Sequence, residues 1–213
     1  MAKFPRSPGA AALARLVPSV HTVPAGTRLA RVYYAAGRYP IAWNTFRYFG
    51  PLNARWDHHA PTATGAAVAQ GRGIYYAALD AKTCLAEMFQ MTRRVDRAFQ
   101  SPRLAVFESV QSLLVVDLTG DFATRMGASM AIHSGSRDRA RGWARDLYEA
   151  FPDIQGIRFA SSMNGGAPAF ALNERALRGT LFPPHPLFHR ALADDVMLDP
   201  LKHAAQALGY ALR

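Results

Sequence analysis

The run Leu113-Leu114-Val115-Val116 constrains the fold more than any other stretch of the chain. Four apolar residues in a row, flanked by Ser112 and Asp117-Leu118 and closed by the turn Thr119-Gly120-Asp121, read as a strand without a polar face. Such a strand belongs inside a sheet that is covered on both sides. Other segments supply the remaining parts. TRLARVYY (27–34), GIYYA (73–77), IRF (157–159) and AFAL (169–172) read as strands, the last two closing a hairpin. Helices are expected over 81–89, entered after Asp80 as N-cap, over 136–150, and over 202–212. The second carries an apolar stripe at Trp143, Leu147 and Tyr148 and stops before Phe151-Pro152-Asp153. Residues 35–69 follow neither period and read as a long loop, a length usually kept for function. The fold class expected is α+β: one compact domain with mixed sheets flanked by helices. Its parts are a proline-broken leader (1–25), the main body (26–182) and, after the stiff Pro183-Pro184-His185-Pro186, a C-terminal extension (183–213) packing on the same domain.

Composition narrows the partners. Half of the residues are apolar and 19% charged, enough to build a core. Lys and Arg number 25 against 15 Asp and Glu, a formal charge of +10, and nearly all the cations are arginine. The planar guanidinium fork suits phosphate and carboxylate, so an anionic partner is expected; a dinucleotide, nucleic acid or an acidic protein surface would all fit. Cys84 is the sole cysteine, which excludes an intramolecular disulfide and a multi-cysteine metal site, and its apolar neighbours place it in the core. Pro5, Pro8, Arg15 and Pro18 interrupt the alanine-rich start, and no run of about twenty apolar residues occurs, so a cytoplasmic protein without a membrane segment is expected.

The sequence holds no Walker A loop, Gly-x-Gly-x-x-Gly fingerprint, His-Glu-x-x-His helix or Gly-x-Ser-x-Gly elbow. Asp57-His58-His59 is the one cluster with metal-ligand chemistry, but neighbours on an extended chain point to opposite sides, and no metal is expected. What remains is a set of polar residues at strand ends among aromatics and loop glycines: Arg31 in LARVYY, Arg55 in NARWDHH, Tyr76 in GIYYAALDAKTCLAEMF, Glu87 eleven residues further on, and Ser161 in GIRFASSMNGG.

In order and spacing these five resemble the RES domain, a family named for arginine, glutamate and serine, over roughly residues 26–180. The resemblance implies a fold like that of ADP-ribosyltransferases and an activity that degrades NAD by hydrolysis or by phosphorolysis, with inorganic phosphate as co-substrate and no retained cofactor. It also implies a toxin role beside an Xre-type helix-turn-helix antitoxin; a stand-alone enzyme and a homo-oligomer both stay open.

The residue types suit that chemistry. Cleavage between nicotinamide and ribose builds positive charge on the sugar, and a carboxylate at Glu87 would oppose it. Arg31 and Arg55 could grip the pyrophosphate, Tyr76 could offer a flat face to nicotinamide, and Ser161 with its glycine-rich loop could contact phosphate or the carboxamide. On this reading Glu87, Arg31 and Ser161 are catalytic, and Arg31, Arg55, Tyr76 and Ser161 bind the nucleotide. Each has a plainer competitor: a solvated helix residue for Glu87, surface cations for the arginines, core packing for Tyr76, turn chemistry for Ser161. Tyr75 competes with Tyr76 and Ser162 with Ser161. Trp56 reads as a loop aromatic docked on the core, and RDRARGWAR (137–145) as a solvated helix face. Protein ADP-ribosylation is the nearest alternative function, and nucleic-acid binding the alternative from another class.

Overall fold

A computed structural model describes residues 3–213, so the first two residues of the expected leader lie outside the described residues. In chain order the first elements are α1 (Ala10–Leu13), β1 (Val20–Val23), β2 (Arg28–Tyr34), β3 (Arg47–Gly50), β4 (Val68–Ala78), α2 (Ala81–Met88) and β5 (Arg94–Val95). There follow β6 (Pro102–Glu108), β7 (Leu113–Asp117), α3 (Phe122–Arg125), α4 (Arg137–Ala150), β8 (Gly156–Ala160), β9 (Pro168–Asn173), β10 (Phe188–Ala191), α5 (Leu198–Leu208) and β11 (Ala211–Leu212).

The chain is one α+β domain built on a nine-stranded mixed sheet. Its order is β1-β7-β8-β9-β4-β2-β6-β10, with β3 added to β4. Neighbours run antiparallel except β7 and β8, which are parallel. The apolar run of β7 is covered on both faces: Val116 joins the core under the helices, while Leu113 and Val115 join a second core on the opposite face. Leu114 departs from that expectation, being 44% exposed near the sheet margin, with only the short β1 beyond. The same alternation runs through β4, where Ile74 and Ala78 face the helical side and Tyr75 and Ala77 the other.

Local chemistry sets the helices. Asp80 caps α2 by accepting from the Thr83 amide at 2.7 Å, and Ser136 caps α4 through the Arg139 amide. Trp143 and Leu147 of α4 are buried, and Tyr148 is half-buried. The last helix begins at Leu198, earlier than the expected 202, and stops at Gly209, whose φ of 65° ends the helix and frees Ala211–Leu212 to pair with β5.

Three segments differ from the sequence reading. The loop over 35–69 contains β3, and its last two residues already belong to β4, whose length the short GIYYA signal understates. The region from Met91 to Gln111, where no element is expected, holds β6, which pairs with β2 along seven residues. The leader is built into the domain: Phe4 and Leu13 are core residues and β1 pairs with β7. Prolines erase its period without preventing single apolar side chains from docking. At the other end β10 extends the sheet from β6, and Leu201 and Ala205 of α5 enter the main core.

Candidate active site

Two elements bring the central pair together. On α2, Thr83 and Glu87 are four residues apart and share a face. That face meets the turn after β8: the Asn164 amide donates to Thr83 Oγ1 at 2.8 Å, and Ser161 Oγ donates to Glu87 Oε1 at 2.5 Å. The turn is tight because Gly165 and Gly166 take left-handed φ values of 57° and 80° and Ser161 and Ala167 close its base at 2.8 Å. Ser161 is fully buried, whereas Ser162 is exposed.

Glu87 is half-buried. Burial pushes its carboxyl above the ordinary glutamate value, against the bond from Ser161, the charge of Arg55, the Gln90 amide and the charge of Arg137. Gln90 reaches Glu87 Oε2 at 3.3 Å and in turn accepts from Arg137 at 2.7 Å. Arg55 is fixed from the other side, donating to the carbonyls of Ile132 and Gly135 at 3.2 and 2.7 Å. Burial and the neighbouring Arg137 both press its pKa downward. Two arginines held close enough to repel one another, beside one carboxylate, make a cluster suited to an anion.

Tyr76 lies on the helical side of β4, where its hydroxyl is buried with no hydrogen-bond partner, and burial together with the negative charges of Asp57 and Glu87 drives its pKa far up. Tyr75 faces the opposite way and donates to the Trp43 carbonyl at 2.8 Å. Arg31 goes with Tyr75. It is 5% exposed, its guanidinium sits 3.9 Å from the Tyr75 ring centre, and it donates to the carbonyls of Trp43 and Thr45 at 3.3 and 2.8 Å. The reason is strand parity: Ala30 pairs with Ala78 on the helical side, so the next residue on β2 turns to the face of Tyr75 and Ala77. Glu87, Ser161, Arg55 and Tyr76 are thus gathered on one side of the sheet, and Arg31 braces the 43–45 segment on the other.

The Asp57-His58-His59 run is internal bracing. Asp57 is fully buried and accepts from Arg47, the Leu52 amide and His59 Nδ1 at 2.8, 2.7 and 2.5 Å, while His58 stacks on Tyr148. No group of three His, Cys, Asp or Glu side chains able to hold a metal occurs among the described residues. Trp56 is 1% exposed against Phe159 and His133, and Cys84 is buried with its thiol pKa pushed up to about 12. No helix among the described residues is long and apolar enough to cross a membrane.

Sequence reasoning missed Gln90 and Arg137. Gln90 follows Glu87 by three residues, a spacing that signals contact at a helix end. Arg137 was hidden in a charge-rich run read as a solvated face, of which only Asp138 and Arg139 are exposed while Ala140, Trp143 and Ala144 enter the core; its place immediately after the cap Ser136 is the signal that sets it apart.

The fold and this cluster define a small α+β domain with a buried carboxylate–serine pair walled by arginines. The family model of the RES domain matches residues 28–195, and the chain belongs to that family. Among solved structures it is similar to a chain of the M. tuberculosis MbcT–MbcA toxin–antitoxin complex, at 15% identity and a TM-score of 0.55 over 84% of this chain and 90% of that one. No curated protein matches it.

Proposed function

We propose that the protein cleaves NAD at the bond between nicotinamide and ribose, in the cytoplasm, as the toxin of a toxin–antitoxin pair. The observation that carries the reading is the Ser161–Glu87 pair at 2.5 Å facing Arg55 and Arg137. Membership of the RES family supports it, and the likeness to a toxin–antitoxin chain supports the toxin role and an antitoxin partner.

The chemistry follows from the charges. The C1′–N bond breaks with its electron pair leaving on nicotinamide, which departs neutral and needs no acid. The ribose is left as an oxocarbenium-like cation, and the Glu87 carboxylate stabilises it where it forms. Ser161 holds that carboxylate in one orientation and, through its hydrogen bond, favours the charged form. Arg55 and Arg137 bind the diphosphate, fixing C1′ against Glu87. Tyr76 provides a wall for the nicotinamide ring. Arg31 acts at one remove by holding the segment behind Tyr75. A new bond then forms at C1′, either to water, which loses a proton to solvent, or to an oxygen of inorganic phosphate; the arginines that bind diphosphate would also attract phosphate.

The test is nicotinamide release from NAD by purified protein, with and without phosphate. Turnover that rises with phosphate and yields a ribose 1-phosphate product assigns phosphorolysis; equal turnover without it assigns hydrolysis. A folded protein that leaves NAD intact in both conditions overturns the proposal.

A further inference from the structure

At the C-terminal end of α2 lies a second feature, an open cavity of about 490 Å³ whose lining includes Tyr34, Met88, Phe89, Met91 and Phe99, with Thr92, the Arg94 guanidinium and the Asp96 carboxylate as its polar members. That volume falls within the range of roughly 300–1,000 Å³ usual for small-molecule sites. Two of its walls are large apolar side chains left open to solvent: Met91 is 71% exposed and Phe99 60%. Tyr34 meets Phe99 edge-on, with centroids 6.3 Å apart.

The cavity is built and held. Asp96 accepts from the amides of Ala98 and Phe99 at 3.0 and 2.8 Å and sets the turn that presents the Phe99 ring. From behind, Arg97 anchors the same turn to the carbonyls of Leu192, Ala193 and Asp194 at 2.8, 3.1 and 3.1 Å. Arg93, Gln100 and Ser101, the non-glycine residues with left-handed φ among the described residues, all flank it. Backbone kept in that region by side-chain-bearing residues collects at ligand sites.

A chain of contacts joins the cavity to the carboxylate. Met88 follows Glu87 directly in α2; Gln90 touches Glu87 and Arg137; Arg137 touches Met91 Sδ at 2.9 Å. A ligand with its reacting sugar at Glu87 and its phosphates at Arg137 would therefore extend toward Met91 and Phe99. We propose that this cavity holds the adenosine half of the dinucleotide, with the purine stacked on Phe99 and against the thioethers of Met88 and Met91, and Arg94 beside its phosphate. Rings and polarizable sulfur suit a flat heteroaromatic base. This rests on the NAD-cleaving reading above, and it adds that the enzyme selects a dinucleotide over a mononucleotide.

The experiment compares NAD with nicotinamide mononucleotide, which carries the same scissile bond without the adenylate, on the wild-type protein and on Phe99→Ala, and measures ADP binding to both by calorimetry. Phe99 is exposed enough for its loss to leave folding intact. Phe99→Ala should raise KM for NAD about tenfold, leave kcat within about twofold, leave mononucleotide cleavage unchanged, and weaken ADP about tenfold. An unchanged KM for NAD, or equal losses on both substrates, overturns the inference while sparing the function. If the wild type cleaves neither substrate, the function fails, and ADP then decides the cavity alone: binding weakened by Phe99→Ala upholds it, and absent or unaffected binding overturns it.

Discussion

Replacing Glu87 by glutamine separates catalysis from stability in one step. Glutamine keeps an oxygen for the Ser161 hydroxyl, now at 2.5 Å, so the link between α2 and the turn after β8 survives. What disappears is the negative charge facing C1′. Two unit charges about 4 Å apart interact by roughly 4 kcal/mol at an effective dielectric of about 20. Losing that stabilisation in the transition state alone slows turnover about a thousandfold. Stability should move the other way. Burial raises the Glu87 pKa above its unfolded value, so its contribution to the native state is present at low pH and lost as pH rises through the folded-state value. Glu87→Gln removes that loss at neutral pH, and Tm should stay the same or rise by a few degrees, at ~2–4 °C per kcal/mol. Nicotinamide release by chromatography and thermal unfolding of the same preparation give both numbers. A variant that keeps more than about a tenth of the wild-type rate, or one that loses activity only because its Tm collapses, would refute the role given to this carboxylate.

The other predictions concern its surroundings. Ser161→Ala should cut kcat/KM about tenfold and shift the acid limb of the pH–rate profile upward, because the lost hydrogen bond had favoured the ionised carboxylate; Ser162→Ala, at an exposed position, should leave rate and profile unchanged. Arg31→Ala should act first on stability: charge-assisted bonds to two carbonyls are worth about 1.5–3 kcal/mol each, so at ~2–4 °C per kcal/mol Tm should fall by roughly 6 °C or more, and an unchanged Tm with abolished activity would move Arg31 into the ligand site. Glu174 should contribute to acid unfolding beside the buried Asp57, whose carboxyl is also held far below its ordinary value. Burial opposes ionisation of Glu174, yet bonds from the Tyr148 hydroxyl and the Gly73 amide, with His58 Nε2 nearby at 3.7 Å, hold it at about 2, so its stabilisation is complete above the ordinary value of 4.5 and disappears as pH falls toward 2. Glu174→Gln should remove roughly 3 kcal/mol at neutral pH and flatten the dependence between those limits in urea titrations; an unaltered dependence would contradict the assignment. Tyr76→Phe removes a hydroxyl buried out of reach of solvent and ligand, so Tm should hold or rise and KM for NAD should stay unchanged; a marked drop in Tm would show that the hydroxyl is structurally bonded.

How much of this was legible in the sequence depended on whether a signal was local. The cap at Asp80, the turn at Gly165-Gly166 and the double-sided run in β7 are written in adjacent residues, and the fold class followed from them. Glu87 and Ser161 were both singled out through the order and spacing of the family resemblance, but their direct contact was not, since 74 residues separate them and no local rule joins them. Arg31 shows the limit. Its place on an early strand was readable, but the face it occupies depends on the register of β2 against β4, fixed at Ala30 and Ala78 by packing far from Arg31 in sequence. Charge had two uses that composition does not separate. The surplus of arginine pointed to an anionic partner, and part of it is structural: Arg31, Arg55, Arg97, Arg139 and Arg175 each donate to backbone carbonyls, tying loops to the core. β6 escaped notice because Pro102 and Arg103 blur its entry, although Leu104-Ala105-Val106-Phe107 is apolar enough to be a strand.

The most direct measurement is nicotinamide released per minute from NAD by the wild-type protein and by Glu87→Gln, each with and without inorganic phosphate, after both are shown to be folded. The site described here predicts turnover by the wild type and about a thousandfold less by the variant in whichever condition is active. A folded wild type that releases no nicotinamide, or a variant that matches it, would contradict the claim that this carboxylate cleaves NAD.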